Sequence, residues 1–408
     1  MKLTRWMVTG VLLVGLLMLP SCFNTKDVKI GVIIPQEGSS LQEEGYQITS
    51  GIKQALDDLK QSGKLIKNYE LIIKNEDRHD ANSVIKAFNE LKEAGVSAII
   101  GAASSASTMA LVPLANEAKI VLLSPGSSSP EINSGEDSGD SIFRNQPSDT
   151  LEAQTLCNVI FQKCRMQKVL MVRSKTAYAE GVTYAMLRFG RQARHQIPDE
   201  VIKFDVDTAN VDFVAVVDRI VEHAPDAVFL GGYTDELIPL IGEIKKREEL
   251  ASMFVFSSSA FVPTRVVNAL DAETLALGPK GLEGVMFSSY HFEPQEGTAQ
   301  HQEFARKFEE NYHVKPDIYA ANGYDAMIVL ATTIDKADHW LQNAVRDELN
   351  KLNFDAELTH GLILRETDFN KRGDVTRIPQ IYRMVEGKPV RLQPEDINEI
   401  RDYILTKI

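Results

Sequence analysis

Val28-Lys29-Ile30-Gly31-Val32-Ile33-Ile34, followed at once by Pro35 and Gln36, decides the fold of this chain. The run is short, nearly all apolar and rich in β-branched residues, which is the pattern of a buried strand. After it Ile48, Ile52, Ala55, Leu56 and Leu59 recur at helical spacing and stop before Gly63. The same pair of elements then repeats. A strand over 71–74 precedes a helix marked by Val84, Phe88 and Leu91 and ended by Gly95. A strand over 97–100, a helix over 109–118 carrying Pro113, and a strand over 120–123 follow. Strands separated by helices of this length imply right-handed crossovers and a parallel sheet covered on both faces.

A Ser-, Gly- and acid-rich stretch at 133–141 reads as a surface loop and lacks the alternating ligands of a calcium loop. Alternation then resumes, with strands expected over 169–172, 201–204, 227–230, 254–256 and 285–287. Phe213, Val216, Val217 and Ile220 mark one of the intervening helices. Three more helices, about 299–312, 317–337 and 340–352, and a strand-rich tail over 361–392 complete the chain. The architecture expected is α/β, with two doubly wound, Rossmann-like lobes. The break at 145–149 is too short for a flexible tether, so the lobes are hinged rather than free.

The chain has 408 residues, 44% hydrophobic and 25% charged, with a formal net charge of −13. That charge argues against a nucleic-acid binder, whose footprint would be basic. At the N-terminus Lys2 and Arg5 precede an apolar stretch from Met7 to Leu19, the layout of a secretory signal and too short to span a bilayer. Leu19-Pro20-Ser21-Cys22 looks like a lipobox. Residues 1–21 would then be a lipoprotein signal peptide, Cys22 an acylated membrane anchor, and 22–27 a linker, which places the protein outside the cytoplasm. Cys157 and Cys164 remain. On one continuous helix their Cα atoms would stand about 10 Å apart, too far for a disulfide, and only a chain reversal near residue 163 would allow one.

In an open parallel sheet, ligands bind beyond the carboxyl ends of the strands. Those positions hold Gly101 to Ser107 and Ser124 to Pro130 in the first unit. In the second they hold 174–178, Gly231-Gly232-Tyr233-Thr234-Asp235 and Ser257-Ser258-Ser259. Small hydroxylic residues dominate, and Tyr178 and Tyr233 supply aromatic surface. The serines at 104–107 open a helix, whose free N–H groups suit an anion; serines there also serve as ordinary N-caps. Asp77-Arg78-His79-Asp80 follows a strand and reads either as a group facing the cleft or as a solvated loop ending in a helix cap. There is no nucleophile elbow, no zinc-protease motif and no phosphate loop, and the eight histidines are scattered. No enzyme, metal site or cofactor is expected.

Taken together the residues resemble the type I periplasmic binding proteins that serve branched-chain amino-acid ABC transporters. The resemblance covers essentially all of the chain after the signal. It rests on Ile30-Gly31-Val32 with Pro35 and Gly38, Ala98-Ile99-Ile100-Gly101 with Ser105, Ser124-Pro125, and Phe143-Arg144. It also rests on the segment 178–181, Asp212-Phe213, Pro225 to Phe229 with Gly231-Gly232, and Tyr324-Asp325-Ala326. It implies a Venus-flytrap with one lobe from 28–146 plus about 290–356, and the other from 147–289 plus about 357–408. It further implies a ligand site at Ser105, Gly126 and Ser128 in the first lobe, closed by Tyr178, Tyr233 and Ser258 from the second. Amino-acid binders of the family carry an acid after the strand ending near Phe256, and this chain has serines at 257–259; Asp235 or Glu44 would be the substitutes. The partners implied are a small amino-acid or amide-like molecule, an ABC permease, and a membrane through the anchor at Cys22. The alternative is an interaction or regulatory lipoprotein of the same fold, such as a cell-wall synthase activator or a sensor, without a transport role.

Overall fold

The computed structural model describes residues 27–36, 41–63, 65–133, 141–192, 200–262, 281–290, 292–337, 342–351, 369–370 and 372–406. The expected signal peptide, Cys22, most of the 133–141 loop and the start of the 361–392 tail lie outside them.

The first sheet is all parallel, in the order β2-β1-β3-β4-β5. Its strands are β1 (Val28–Ile34), β2 (Tyr69–Asn75), β3 (Ala98–Gly101), β4 (Val121–Ser124) and β5 (Ile142–Arg144). Strand β1 is central, with Ile30 beside Leu71 on one edge and Ala98 on the other. Its uninterrupted apolar run follows from that position. Ile30, Val32 and Ile34 pack on one face against helices α1 (Gln42–Ser62), α8 (Ala299–Tyr312) and α9 (Ile318–Lys336). Ile33 points the other way, into a core with α2 (Ala81–Glu93) and α3 (Ser105–Ala118). Alternation sends successive side chains to opposite faces, and both faces here are dry.

Two glycines set the approach of α1 and α9. A Cβ on Gly51 would lie 2.1 Å from the Ala320 carbonyl oxygen, and one on Gly323 would lie 2.3 Å from that of Ile48. Any side chain at either position would push the helices apart.

The second sheet has the order β12-β11-β10-β9-β8-β6-β7. Strands β6 (Val169–Ser174), β7 (Val201–Phe204), β8 (Ala227–Gly231), β9 (Phe254–Ser257) and β10 (Met286–Ser289) are parallel. Numbered from β6, they repeat the order of the first sheet, so one winding occurs twice. A hairpin, β11 (Gln380–Val385) and β12 (Lys388–Arg391), adds antiparallel strands to β10. Helices α4 (Asp149–Cys157), α5 (Ala177–Gln192), α6 (Phe213–His223), α7 (Thr234–Lys245) and α11 (Pro394–Leu405) belong to this lobe, and α10 (Gln342–Lys351) to the first.

The fold and its two sheets are as expected, with four differences in detail. Strand β5 was unexpected: three residues give too short a pattern to read. Helix α11 lies just beyond the strand-rich tail and was not anticipated. Pro113 does not break α3, because it sits on the exposed side, where water can serve the carbonyl left without a partner. The tail divides later than expected. Phe369 and Val375 pack in the core of the first sheet, and Asp374 bridges to Arg144, so the chain returns to the second lobe only between 376 and β11. Cys157 and Cys164 are both buried free thiols, on a helix that continues through a π-turn at Asn158–Lys163 without the reversal a disulfide needs.

Candidate functional site

Each sheet reverses its winding between its first and third strands, and loops diverging there leave a crevice at the carboxyl ends. The two crevices meet. Between them lies a cavity with about 390 Å³ of empty space, part of it open to solvent. The first lobe lines it with Leu41, Glu44, Ala103, Gly126, Ser128 and Tyr319, and the second with Tyr178, Tyr233, Ser259 and Ala260; Gln146 comes from the segment joining them.

Four of the six expected ligand residues therefore line the cavity: Gly126, Ser128, Tyr178 and Tyr233. Gly126 is required by crowding, since a Cβ there would lie 2.6 Å from the Ala103 carbonyl oxygen. The other two stand one layer back. The buried Ser105 hydroxyl accepts the Ser129 N–H at 3.2 Å, and the buried Ser258 hydroxyl accepts the Tyr178 phenol at 2.7 Å. Of the triplet 257–259 it is Ser259 that reaches the lining. Adjacent serines point to different sides, and sequence alone does not say which.

The second-lobe wall is aromatic. The Tyr178 and Tyr233 rings have centroids 5.0 Å apart, tilted by 38°. Tyr178 Oη also accepts the Ala260 N–H at 3.4 Å, which ties the ring to the loop after β9. Burial pushes both phenols well above their ordinary range, so each keeps its proton as a donor.

The N-terminus of α3 bears out the N-cap reading of its serines, and an acid of the chain itself meets its free N–H groups. The carboxylate of Glu76, just past β2, accepts the N–H of Ala103 at 2.7 Å and of Ser104 at 2.9 Å. Ser104 caps the helix by accepting the Ser107 N–H at 3.3 Å. The chain's own carboxyl thus meets N–H groups that would otherwise suit an anion. Burial raises the Glu76 pKa, and the donors around it partly offset that rise.

Two further acids were not anticipated. Glu152 accepts the Ser259 N–H and hydroxyl, at 2.5 and 3.0 Å, and the Ser288 hydroxyl. Asp149 precedes it by one turn, and its N–H donates to the Ser128 carbonyl at 2.9 Å. Both carboxyls are fully buried. Burial raises both, and the Glu152 charge raises Asp149 further, so the pair favours holding a proton. In the sequence they look like ordinary acids in the first turn of a helix. Of the acids considered as substitutes for the family's, Glu44 lines the cavity, whereas Asp235 pairs with Arg78 at 3.0 Å.

The cluster at 77–80 divides between its two readings. Asp80 caps α2 by accepting the Asn82 N–H at 3.0 Å. Arg78, buried, reaches across to the second lobe. Among the described residues no group of three or more His, Cys, Asp or Glu is placed to hold a metal, and no helix is long and apolar enough to cross a membrane.

A family model described as "Periplasmic binding protein" matches residues 27–387. The Leu/Ile/Val-binding protein of Escherichia coli K12 is 25% identical over 276 residues, 67% of this chain and 66% of that protein's length. Among solved structures, a leucine binding protein from Thermotoga maritima superposes with a TM-score of 0.73 at 22% identity, covering 90% of this chain and 98% of the other. A branched-chain amino-acid transporter substrate-binding protein from Streptococcus pneumoniae, solved with isoleucine, also gives 0.73, at 19% identity and with 90% and 100% covered.

Proposed function

The chain belongs to the type I periplasmic binding protein family, and on that premise we propose that it captures a small polar solute, of the amino-acid or amide class, for an ABC transporter. One observation carries the reading: a small cavity at the carboxyl ends of both sheets, with hydroxyl and backbone groups on one side and two tyrosines on the other. Such an arrangement encloses a ligand when the lobes swing together, and the ligand favours closure because it touches both. The names of the relatives support a branched-chain amino acid as the first compound to test.

In this reading Ser128 and the backbone around Gly126 orient the polar end of the solute, Tyr178 and Tyr233 cover it, and Ser105 and Ser258 hold that lining in place. Acylation at Cys22 would confine the protein to a membrane surface near a permease. The closed form, with both lobes presenting one continuous face, would be the form that docks. The relatives are named as binding proteins, which favours capture over the regulatory alternative and over enzymic turnover.

Screening amino acids, amides and short carboxylates for thermal stabilisation tests the proposal. A ligand at 100 times its Kd adds about 2.7 kcal/mol to the apparent stability of the form that binds it. A clear rise with one of these compounds supports the reading. A flat response across all three classes contradicts it.

A further inference from the structure

Arg78 stands in the loop between β2 and α2, on the first lobe, yet most of its partners belong to the second. Its Nη2 donates to Asp235 Oδ2 at 3.0 Å and lies 3.3 Å from Glu236 Oε1. Its guanidinium sits 4.3 Å from the centroid of the Tyr233 ring. Its Nε donates to His79 Nε2 at 3.0 Å, which braces the side chain from its own lobe. The Arg78 and Glu236 side chains are only 4% and 1% exposed, so this is no solvated surface pair.

We propose that Arg78 is the clasp between the lobes and the residue that positions Tyr233 over the cavity. Three features lead there. Parting the lobes would remove the only described cation at ion-pair distance from Glu236, so this contact is made on closing and broken on opening. Glu236 is itself fixed, accepting the Ser174 hydroxyl at 2.7 Å and the Tyr233 N–H at 2.9 Å. The clasp therefore grips a prebuilt acidic end of α7 rather than a loose side chain. Finally, the Tyr233 ring is held by Arg78 at 4.3 Å and by Tyr178 at 5.0 Å, so a first-lobe residue sets the shape of the second-lobe wall. A flat guanidinium suits this combined task, since it stacks on the ring while its edge meets two carboxylates; an ammonium cannot do both. The inference uses the hinged-lobe part of the proposed function but not the identity of the solute.

Amide hydrogen exchange on the full chain, without added solute, tests it. In Arg78→Ala, exchange should quicken about tenfold in segments 102–108 and 232–238, whose Ala103 and Tyr233 line the cavity from opposite lobes, while β3 and β8 keep their protection. Arg78→Lys should fall between, keeping the charge and losing the stack. If Arg78→Ala loses protection everywhere, Asp235→Asn, which removes the half-exposed partner, is read instead for the same two segments. Unchanged exchange in both segments overturns the proposal. Faster exchange in 232–238 alone also overturns it, because that marks local packing within one lobe. No solute enters this test, so its failure and a failed ligand screen remain separate results.

Discussion

Glu152 accepts hydrogen bonds from both the backbone N–H and the hydroxyl of Ser259, and so fastens the first turn of α4 to the loop after β9. The sequence carries serines where the family resemblance implies an acid, and an acid from another element reaches the same loop. Replacing Glu152 by Ala leaves the Ser259 N–H and two hydroxyls without their acceptor. Urea denaturation should show a loss of about 2–3 kcal/mol, with Gln recovering part of it.

Asp149 makes the pH dependence of stability testable. Its pKa is raised well above 3.8 by burial and by the Glu152 charge beside it. A raised folded-state pKa means that the folded form holds the proton more tightly than the unfolded chain. Its contribution is therefore complete below the ordinary carboxyl range and is lost as pH rises through the raised value. Asp149→Asn cannot ionise. Melting curves of the ligand-free protein should show it more stable than the parent at pH 7, with the gain gone near pH 4.

Glu76 holds two N–H groups at the entry to α3, at 2.7 and 2.9 Å. Glu76→Ala strands both in a dry place and should cost about 2–4 kcal/mol. Glu76→Gln keeps one acceptor and should cost less. Equal stability of the Ala and Gln variants in guanidinium titrations would show that the carboxylate does not serve this entry.

Arg144 and Asp374 form a buried pair at 2.5 Å, and Arg144 also donates to the Ser129 carbonyl at 2.7 Å. The pair ties the late-returning tail to β5 and to the loop that carries Ser128. Arg144→Leu strands the Asp374 carboxylate and should destabilise by about 3–5 kcal/mol. Replacing both residues with apolar ones should recover most of that loss, as a double-mutant cycle would show.

Both lobes were legible because each strand of Val28–Ile34 type is buried on two faces and so leaves an unbroken apolar signature. The loops at the strand ends followed from that topology, and the family resemblance singled out Gly126, Ser128, Tyr178 and Tyr233 within them. The acids did not. Glu76 and Glu152 act through neighbours that are distant in the sequence, 27 and 107 residues away for Ala103 and Ser259, and Asp149 is marked by its burial beside Glu152. Nothing local separates such an acid from a solvated one. Ser105 and Ser258 stand one layer behind the lining for a related reason: the rotation of a loop decides which of several serines faces the cavity. Arg78 was placed in its cluster, but its partners lie across the cleft, where periodicity gives no information.

Whether the solute sits in this cavity is decided by calorimetric titration of the most stabilising compound from the screen into the parent and into Tyr178→Ala and Ser128→Ala. One site per chain is expected in the parent and a loss of about tenfold or more in each variant, since each removes a lining group from one side of the cavity. Undiminished affinity in both folded variants would place the ligand elsewhere and contradict the proposed function.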